Sequence, residues 1–262
     1  MTEPTLLSVD DAGTGVRTLI LNRPQARNSL SQPVIRELID TFEAIAADDG
    51  VRVVILAGAG PAFCAGHDLK EMRAAGYAPD YAEGLFADCA ELMQSIVNLP
   101  KPVIARVHGI ATAAGCQLVA SCDLAVSADD ARFATPGVNI GLFCSTPMVA
   151  LSRNVAPKHA MQMLLTGDLI DAAAALRFGL VNELVPAAEL EARTLELARK
   201  IASKSPLTLA IGKEAFYRQA ALPLDEAYAY TRGVMVGNLQ ALDAREGIDA
   251  FIDKRTPAWC GR

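Results

Sequence analysis

Residues 102–126, PVIARVHGIATAAGCQLVASCDLAV, limit what this chain can fold into more than any other stretch. A β-branched apolar run, Val103-Ile104-Ala105-Arg106-Val107, meets Gly109 and the tract Ala111-Thr112-Ala113-Ala114-Gly115. Cys116-Gln117-Leu118-Val119-Ala120 then reads as helix. A buried strand is thus joined to a buried helix with almost no side-chain volume at the joint. Backbone that bare lets a ligand touch peptide groups. The first N–H groups of a helix lack internal partners, so Ala114 and Gly115 can aim donors, backed by the helix dipole, at a developing negative charge. Small residues equally serve close helix–strand packing, and this stretch alone does not separate the two uses.

The 262 residues, 52% of them hydrophobic, suffice for one large domain or a core with a smaller appendage. No apolar run reaches the roughly 18 residues of a membrane span. The opening MTEPTLLSVDD has neither a basic apolar signal nor an Arg-rich transit segment, so the expectation is a soluble cytoplasmic protein without membrane contact. Cysteines at 64, 89, 116, 122, 144 and 260 form no CxxC, and histidines at 67, 108 and 159 no HExxH, which argues against a metal site and a disulfide framework. A net charge of −6 argues against nucleic-acid partners.

Residues 18–21 read as a strand, and Val34, Ile35, Leu38, Ile39, Phe42 and Ile45 recur at helical spacing. Residues 51–57 give a second, apolar strand, buried on both sides. Gly58-Ala59-Gly60 after that strand suggests a dinucleotide loop, but position 63, where a third glycine belongs, is Phe. A cysteine nucleophile elbow at 61–66 lacks a later His–Asp pair. Asp68 with Glu71 resembles a capping box, which makes Asp68 a helix cap rather than an acid catalyst. Residues 74–81 have no periodicity and read as a loop, and an amphipathic helix follows over 85–97. Residues 53–73 and 103–123 share one plan, apolar strand, Gly/Ala turn and helix, so two helix entrances can face one cavity. From Glu189 onward the pattern is wholly helical.

Six segments in order carry a family resemblance: LNRPQARNSL at 21–30, AFCAGHDLKEM at 62–72, residues 101–126, FATPGVNIGL at 133–142, LTGDLIDAAAALRFGLVNELVP at 165–186 and GIDAFIDKRTPAW at 247–259. With them the chain resembles the enoyl-CoA hydratase/isomerase, or crotonase, superfamily. The resemblance implies an α/β fold, a crotonase-like spiral of repeated ββα units over 1–195, and a C-terminal helical oligomerisation region over 196–262 that builds homotrimers or homohexamers. It implies an acyl-CoA substrate, with coenzyme A as part of that substrate and no separate cofactor or metal. The catalytic positions it implies are His67 and Ala114, whose backbone N–H groups hold the thioester carbonyl, and Gln117. Substrate contacts carry over to Arg27, Ala65, Asp68, Leu69 and Lys70 on one side and to Gly115, Gly137, Phe143 and Cys144 on the other. Phe251 and Lys254 match residues that reach the coenzyme A of a neighbouring subunit.

Two positions depart from the hydratase pattern, since Gln117 and Gly137 stand where hydratases of the family have glutamates. Adding water across a conjugated double bond needs a base and an acid, each worth roughly 10²–10⁴-fold. An amide and a hydrogen atom supply neither. Asn139, Cys144 and the His67 ring are the other polar groups expected nearby. The His67 ring is expected to point at solvent or at coenzyme A, with only its backbone acting, and Cys144 to be a small core residue. Three functions stay open: hydration or isomerisation through substitute groups such as a water held by Gln117, decarboxylation of a malonyl-type thioester, and acyl-CoA binding without turnover.

Overall fold

The computed structural model describes residues 4–262, so Met1, Thr2 and Glu3 of the expected core lie outside the described residues. The chain opens with an antiparallel pair, β1 (Leu6–Asp11) and β2 (Val16–Leu21), followed by α1 (Gln32–Ala46). The six apolar positions of the expected stripe are the buried residues of α1. The chain then climbs in turns. The first turn has β3 (Val53–Gly58), α2 (Leu69–Ala74) and α3 (Pro79–Asn98); the second has β4 (Val103–Val107), β5 (Ile110–Thr112) and α4 (Ala114–Ser121). The third has β6 (Leu124–Ala128), β7 (Arg132–Ala134), α5 (Ser145–Asn154) and α6 (Pro157–Thr166). After it come β8 (Ile170–Asp171), α7 (Ala172–Phe178) and β9 (Glu183–Val185).

Among the described residues the strands form two sheets, β1-β2-β3-β4-β6-β9 and β5-β7-β8. From β2 to β9 the large sheet is parallel. Each turn places one strand in the large sheet and its next extended segment in the small one. In the first turn that segment is a bridge, Cys64 lying parallel to Ala111. This is the expected ββα spiral. Its inner strands are covered on both faces, which is why β3 and β4 read as near-continuous apolar runs rather than alternating ones.

Some expected boundaries move. The stretch 74–81 is helical at both ends, and only 75–78 separates α2 from α3. Pro79 takes the first position of α3, where its missing N–H costs nothing. The strand expected over 180–185 shortens to β9, with Leu180 and Val181 buried before it. The expected domain boundary at 195/196 falls inside α8 (Leu190–Ala202), an unbroken helix whose Thr194, Ala198 and Ala202 are all buried against the large sheet. The sheet-packed part of the chain therefore runs to the end of α8.

Beyond it lie α9 (Pro206–Gln219), α10 (Leu224–Gln240) and α11 (Leu242–Ile252). They expose large apolar side chains, among them Phe216, Tyr228, Met235, Val236 and Phe251. One polar cluster ties α9 to the core. The Lys213 ammonium, almost enclosed, donates to the Ile96 and Lys101 carbonyls and pairs with Asp123 at 2.7 Å. Asp123 also accepts from the Tyr217 hydroxyl and the Val103 N–H. Burial pulls the Lys213 pKa down while Asp123 opposes the shift. Replacing Lys213 by Met leaves the Asp123 charge without its counter-ion and removes a donor from two carbonyls, so a loss of about 3–5 kcal/mol is expected in urea denaturation, against about 1 kcal/mol for Tyr217→Phe. Equal effects of the two changes would mean that the ammonium is not the keystone of the cluster.

Candidate active site

The two strand–helix junctions recognised in the sequence lie against each other, backbone to backbone. Cys64 N–H donates to the Ile110 carbonyl, Thr112 N–H donates to the Cys64 carbonyl, and the Thr112 hydroxyl reaches the Ala65 carbonyl. A Cβ on Gly115 would lie 2.1 Å from the Cys64 oxygen, so only glycine fits there. A Cβ on Gly66 would lie 2.8 Å from the Ala113 Cβ and 3.3 Å from the Ala114 nitrogen, and Gly66 has φ +93. His67 is thereby held next to the entrance of α4.

The direction of the His67 N–H follows from its neighbours. Leu30 N–H donates to the Gly66 carbonyl and Asp68 N–H to the Leu30 carbonyl. In a parallel bridge the residue between those two turns its own N–H to the opposite side. Across from Leu30 lies the Ala113–Ala114 junction, and among the described residues neither the His67 nor the Ala114 N–H has a hydrogen-bond partner. α4 itself is buried over its whole length, from Ala114 to Ser121.

Two strained stretches hold this arrangement. Arg27 and Asn28 are left-handed, with φ 51 and 54, and the buried Asn28 amide donates to the Ala59 and Ala62 carbonyls. The Arg27 carbonyl accepts from Ala65 N–H. Ala113, just before α4, has φ 51 and ψ −120, a conformation that disfavours a Cβ. Its N–H donates to Ala134 and its carbonyl accepts from Gln117, which keeps it there.

The expected side chains divide into three groups. Gln117 is buried, with the Cys89 thiol 4.0 Å from its Oε1. Gly137 and Cys144 are in contact, Gly137 N–H pointing at Cys144 Sγ at 3.3 Å. Phe143 lies beside them, 42% exposed, on the same loop. Burial raises the Cys144 pKa and pushes the Cys64, Cys89 and Cys116 thiols up to about 12, so these are neutral at physiological pH and suit packing rather than attack. Leu69 and Lys70 are exposed at the start of α2, and Arg27 is exposed beside Ala65. Phe251, at the end of α11, is 86% exposed, and the exposed Lys254 follows it with φ 56; α11 packs on α9 and α10. A surface hollow of about 590 Å³ at the β1–β2 turn contains none of these residues.

Several side chains behave differently from expectation. Asp68 caps α2 as expected, accepting from Lys70 and Glu71 N–H, and pairs with Arg23 at 2.9 Å. Glu71 does not complete the capping box: its carboxylate accepts from Gln32 N–H at the start of α1, and Asp68 N–H is already engaged by Leu30. Asn139 is drawn off to the Gly167 carbonyl. The His67 ring does not point freely into solvent. It lies edge-on to Phe86 of α3, its Nε2 is enclosed without a partner among the described residues, and burial lowers its pKa to about 4. The obstacle to a side chain at Gly137 is space, since a Cβ would meet the Leu142 oxygen at 2.7 Å and Cys144 Sγ at 2.9 Å, while its φ lies outside the left-handed region. Sequence reasoning missed Arg23, Phe86 and Thr135, a buried hydroxyl without a partner. Phe86 stands three residues from Cys89 on α3, and that spacing was the available signal.

Ala113→Gly relieves strain of about 1–3 kcal/mol and adds unfolded-chain entropy worth about 0.5–1 kcal/mol. The expected outcome is a net gain in stability, measured as a higher urea midpoint. A loss would show that the neighbouring hydrogen bonds leave Ala113 unstrained.

A family model described as Enoyl-CoA hydratase/isomerase matches residues 11–262. The chain is 51% identical to "Enoyl-CoA hydratase domain-containing protein 3, mitochondrial" of Xenopus laevis, over 97% of this chain and 86% of that protein. Its fold is similar to the crystal structure of an enoyl-CoA hydratase from Mycobacterium smegmatis, with a TM-score of 0.95, 52% identity and coverage of 98% and 99%. It is similar also to that of human enoyl-CoA hydratase domain-containing protein 3, with a TM-score of 0.94, 46% identity and coverage of 98% and 100%. The mitochondrial designation of the vertebrate relatives overturns the expectation of a cytoplasmic protein, for which the opening residues were a poor guide. By its family match and these likenesses, the chain belongs to the enoyl-CoA hydratase/isomerase family.

Proposed function

We propose that this protein binds acyl-CoA thioesters and stabilises the enolate form of the bound thioester with the backbone N–H groups of His67 and Ala114. The observation that carries this reading is the juxtaposition of two unpartnered N–H groups at the mouths of α2 and α4. Two such donors aimed at a carbonyl oxygen favour the enolate, because its negative charge grows where they point. The dipole of α4 adds to the effect at Ala114. Arg27, Ala65, Asp68, Leu69 and Lys70 would line the coenzyme A side. Gly115, Gly137, Phe143 and Cys144 would line the acyl side.

Proton transfer is where this chain departs from a two-glutamate hydratase. Gln117 holds a position from which an amide can orient water without taking its proton. A second reading, favoured by the lack of a carboxylate at both 117 and 137, is decarboxylation of a malonyl-type thioester. There the bond from the α-carbon to the carboxylate breaks, CO₂ leaves, and the electron pair passes to the thioester oxygen that the two N–H groups hold. That reaction asks nothing of a glutamate until the enolate is protonated.

We infer also that the exposed apolar side chains of α9–α11 are covered by further copies of the chain in a trimer or hexamer, which would bring Phe251 and Lys254 to a neighbour's site. Light scattering at the mass of three or six chains is the expected result; a monomer at micromolar concentration removes the assembly. For the chemistry, hydration of crotonyl-CoA by the native chain is expected to lag a two-glutamate enzyme by several powers of ten. Gln117→Glu alone restores one proton carrier and should raise hydration by roughly 10²–10⁴-fold. Gly137→Glu should not, because the Leu142 carbonyl and Cys144 block the side chain. Ordinary hydratase rates in the native chain would overturn the reading.

A further inference from the structure

The His67 imidazole is a largely enclosed polar side chain, next to the proposed carbonyl site, that the fold itself leaves unused. Its ring is held edge-on to Phe86, centroids 5.4 Å apart, and its Nε2 is enclosed without a hydrogen-bond partner among the described residues. An enclosed nitrogen with no partner is costly to a fold, and such groups persist where a ligand uses them. The Gln117 amide touches Cys89, and Phe86 and Cys89 lie three residues apart on α3, so ring and amide face neighbouring positions of one helix wall. Both are neutral, the ring because burial lowers its pKa. This wall carries neutral hydrogen-bonding groups and no carboxylate at position 117.

We propose that the His67 imidazole is a specificity-determining group that binds an oxygen on the β-carbon of the acyl chain; this rests on the thioester reading above. A thioester oxygen on the His67 N–H brings the α- and β-carbons within reach of the same residue's ring, and carries the rest of the chain past it. Held neutral by its burial, the imidazole offers one donor and one acceptor. An oxygen at that carbon can belong to a hydroxyl, as in a 3-hydroxyacyl thioester, or to a carboxylate, as in a malonyl thioester. The shared chemistry is a hydrogen-bonding oxygen two carbons from the thioester carbonyl. A plain acyl chain offers the ring nothing and leaves the orphaned nitrogen buried.

The test is calorimetric binding of butyryl-CoA, 3-hydroxybutyryl-CoA and malonyl-CoA to the native protein, His67→Phe and His67→Gln. All three proteins keep the backbone N–H. The native chain is expected to bind at least one of the oxygenated ligands about tenfold tighter than butyryl-CoA, the worth of one good hydrogen bond. The preferred ligand tells a neutral oxygen from a charged one. His67→Phe should erase the preference by weakening that ligand alone, and His67→Gln should keep part of it through its amide. An unchanged preference in His67→Phe overturns the proposal. So does equal weakening of all three ligands, which marks a structural role, and so does a native protein that binds all three alike. A native protein that binds no coenzyme A thioester removes the thioester reading and this proposal with it.

Discussion

The contact between Gly115 and the Cys64 carbonyl is the constraint on which the rest depends. At 2.1 Å for a hypothetical Cβ, no side chain is compatible with it. Because α4 starts there, the helix can run through the interior with every residue buried. Because Cys64 is pinned by Ile110 and Thr112, the loop that follows must pass Ala113 and Ala114 before Asp68 begins the next helix. Two peptide groups from distant parts of the chain then share one small space. Side-chain chemistry is secondary at such a joint.

This explains the neutral character of the centre. Every thiol that lines or backs it has its pKa raised by burial, and the imidazole is held neutral by the same cause. Charge is kept one layer out, where Arg23 pairs with Asp68 and Arg36 with Asp88. Glu71 links that layer to α1 through Gln32 N–H. A low-dielectric centre with fixed dipoles strengthens each hydrogen bond made inside it.

Much of this was legible in the sequence, and the failures have physical causes. The stripe of α1 and the small residues before α4 spoke for themselves because each depends on neighbours close in the chain. The strands β5, β7 and β8 were silent because two or three residues cannot show a period. α5 and α6 bury few residues each, so their apolar faces are too narrow to read. Glu71 reads as a partner within its own helix because sequence distance favours the local bond; the competing N–H of Gln32 lies 39 residues back. At the site, position 114 is legible from the helix entrance itself and positions 67 and 117 from the family motif, whereas the burial of the His67 ring needs the third dimension, since Phe86 is 19 residues further on.

The Lys213 ammonium has a reach that its structural role conceals. One of its three bonds ends on the Ile96 carbonyl, in the last turn of the helix whose Phe86 and Cys89 back the imidazole and the amide. Its own helix, α9, belongs to the apolar group at the C-terminal end. The apolar outer face and the helix behind the imidazole and the amide therefore meet at one enclosed ammonium, with no second polar tie between α9 and α3 among the described residues.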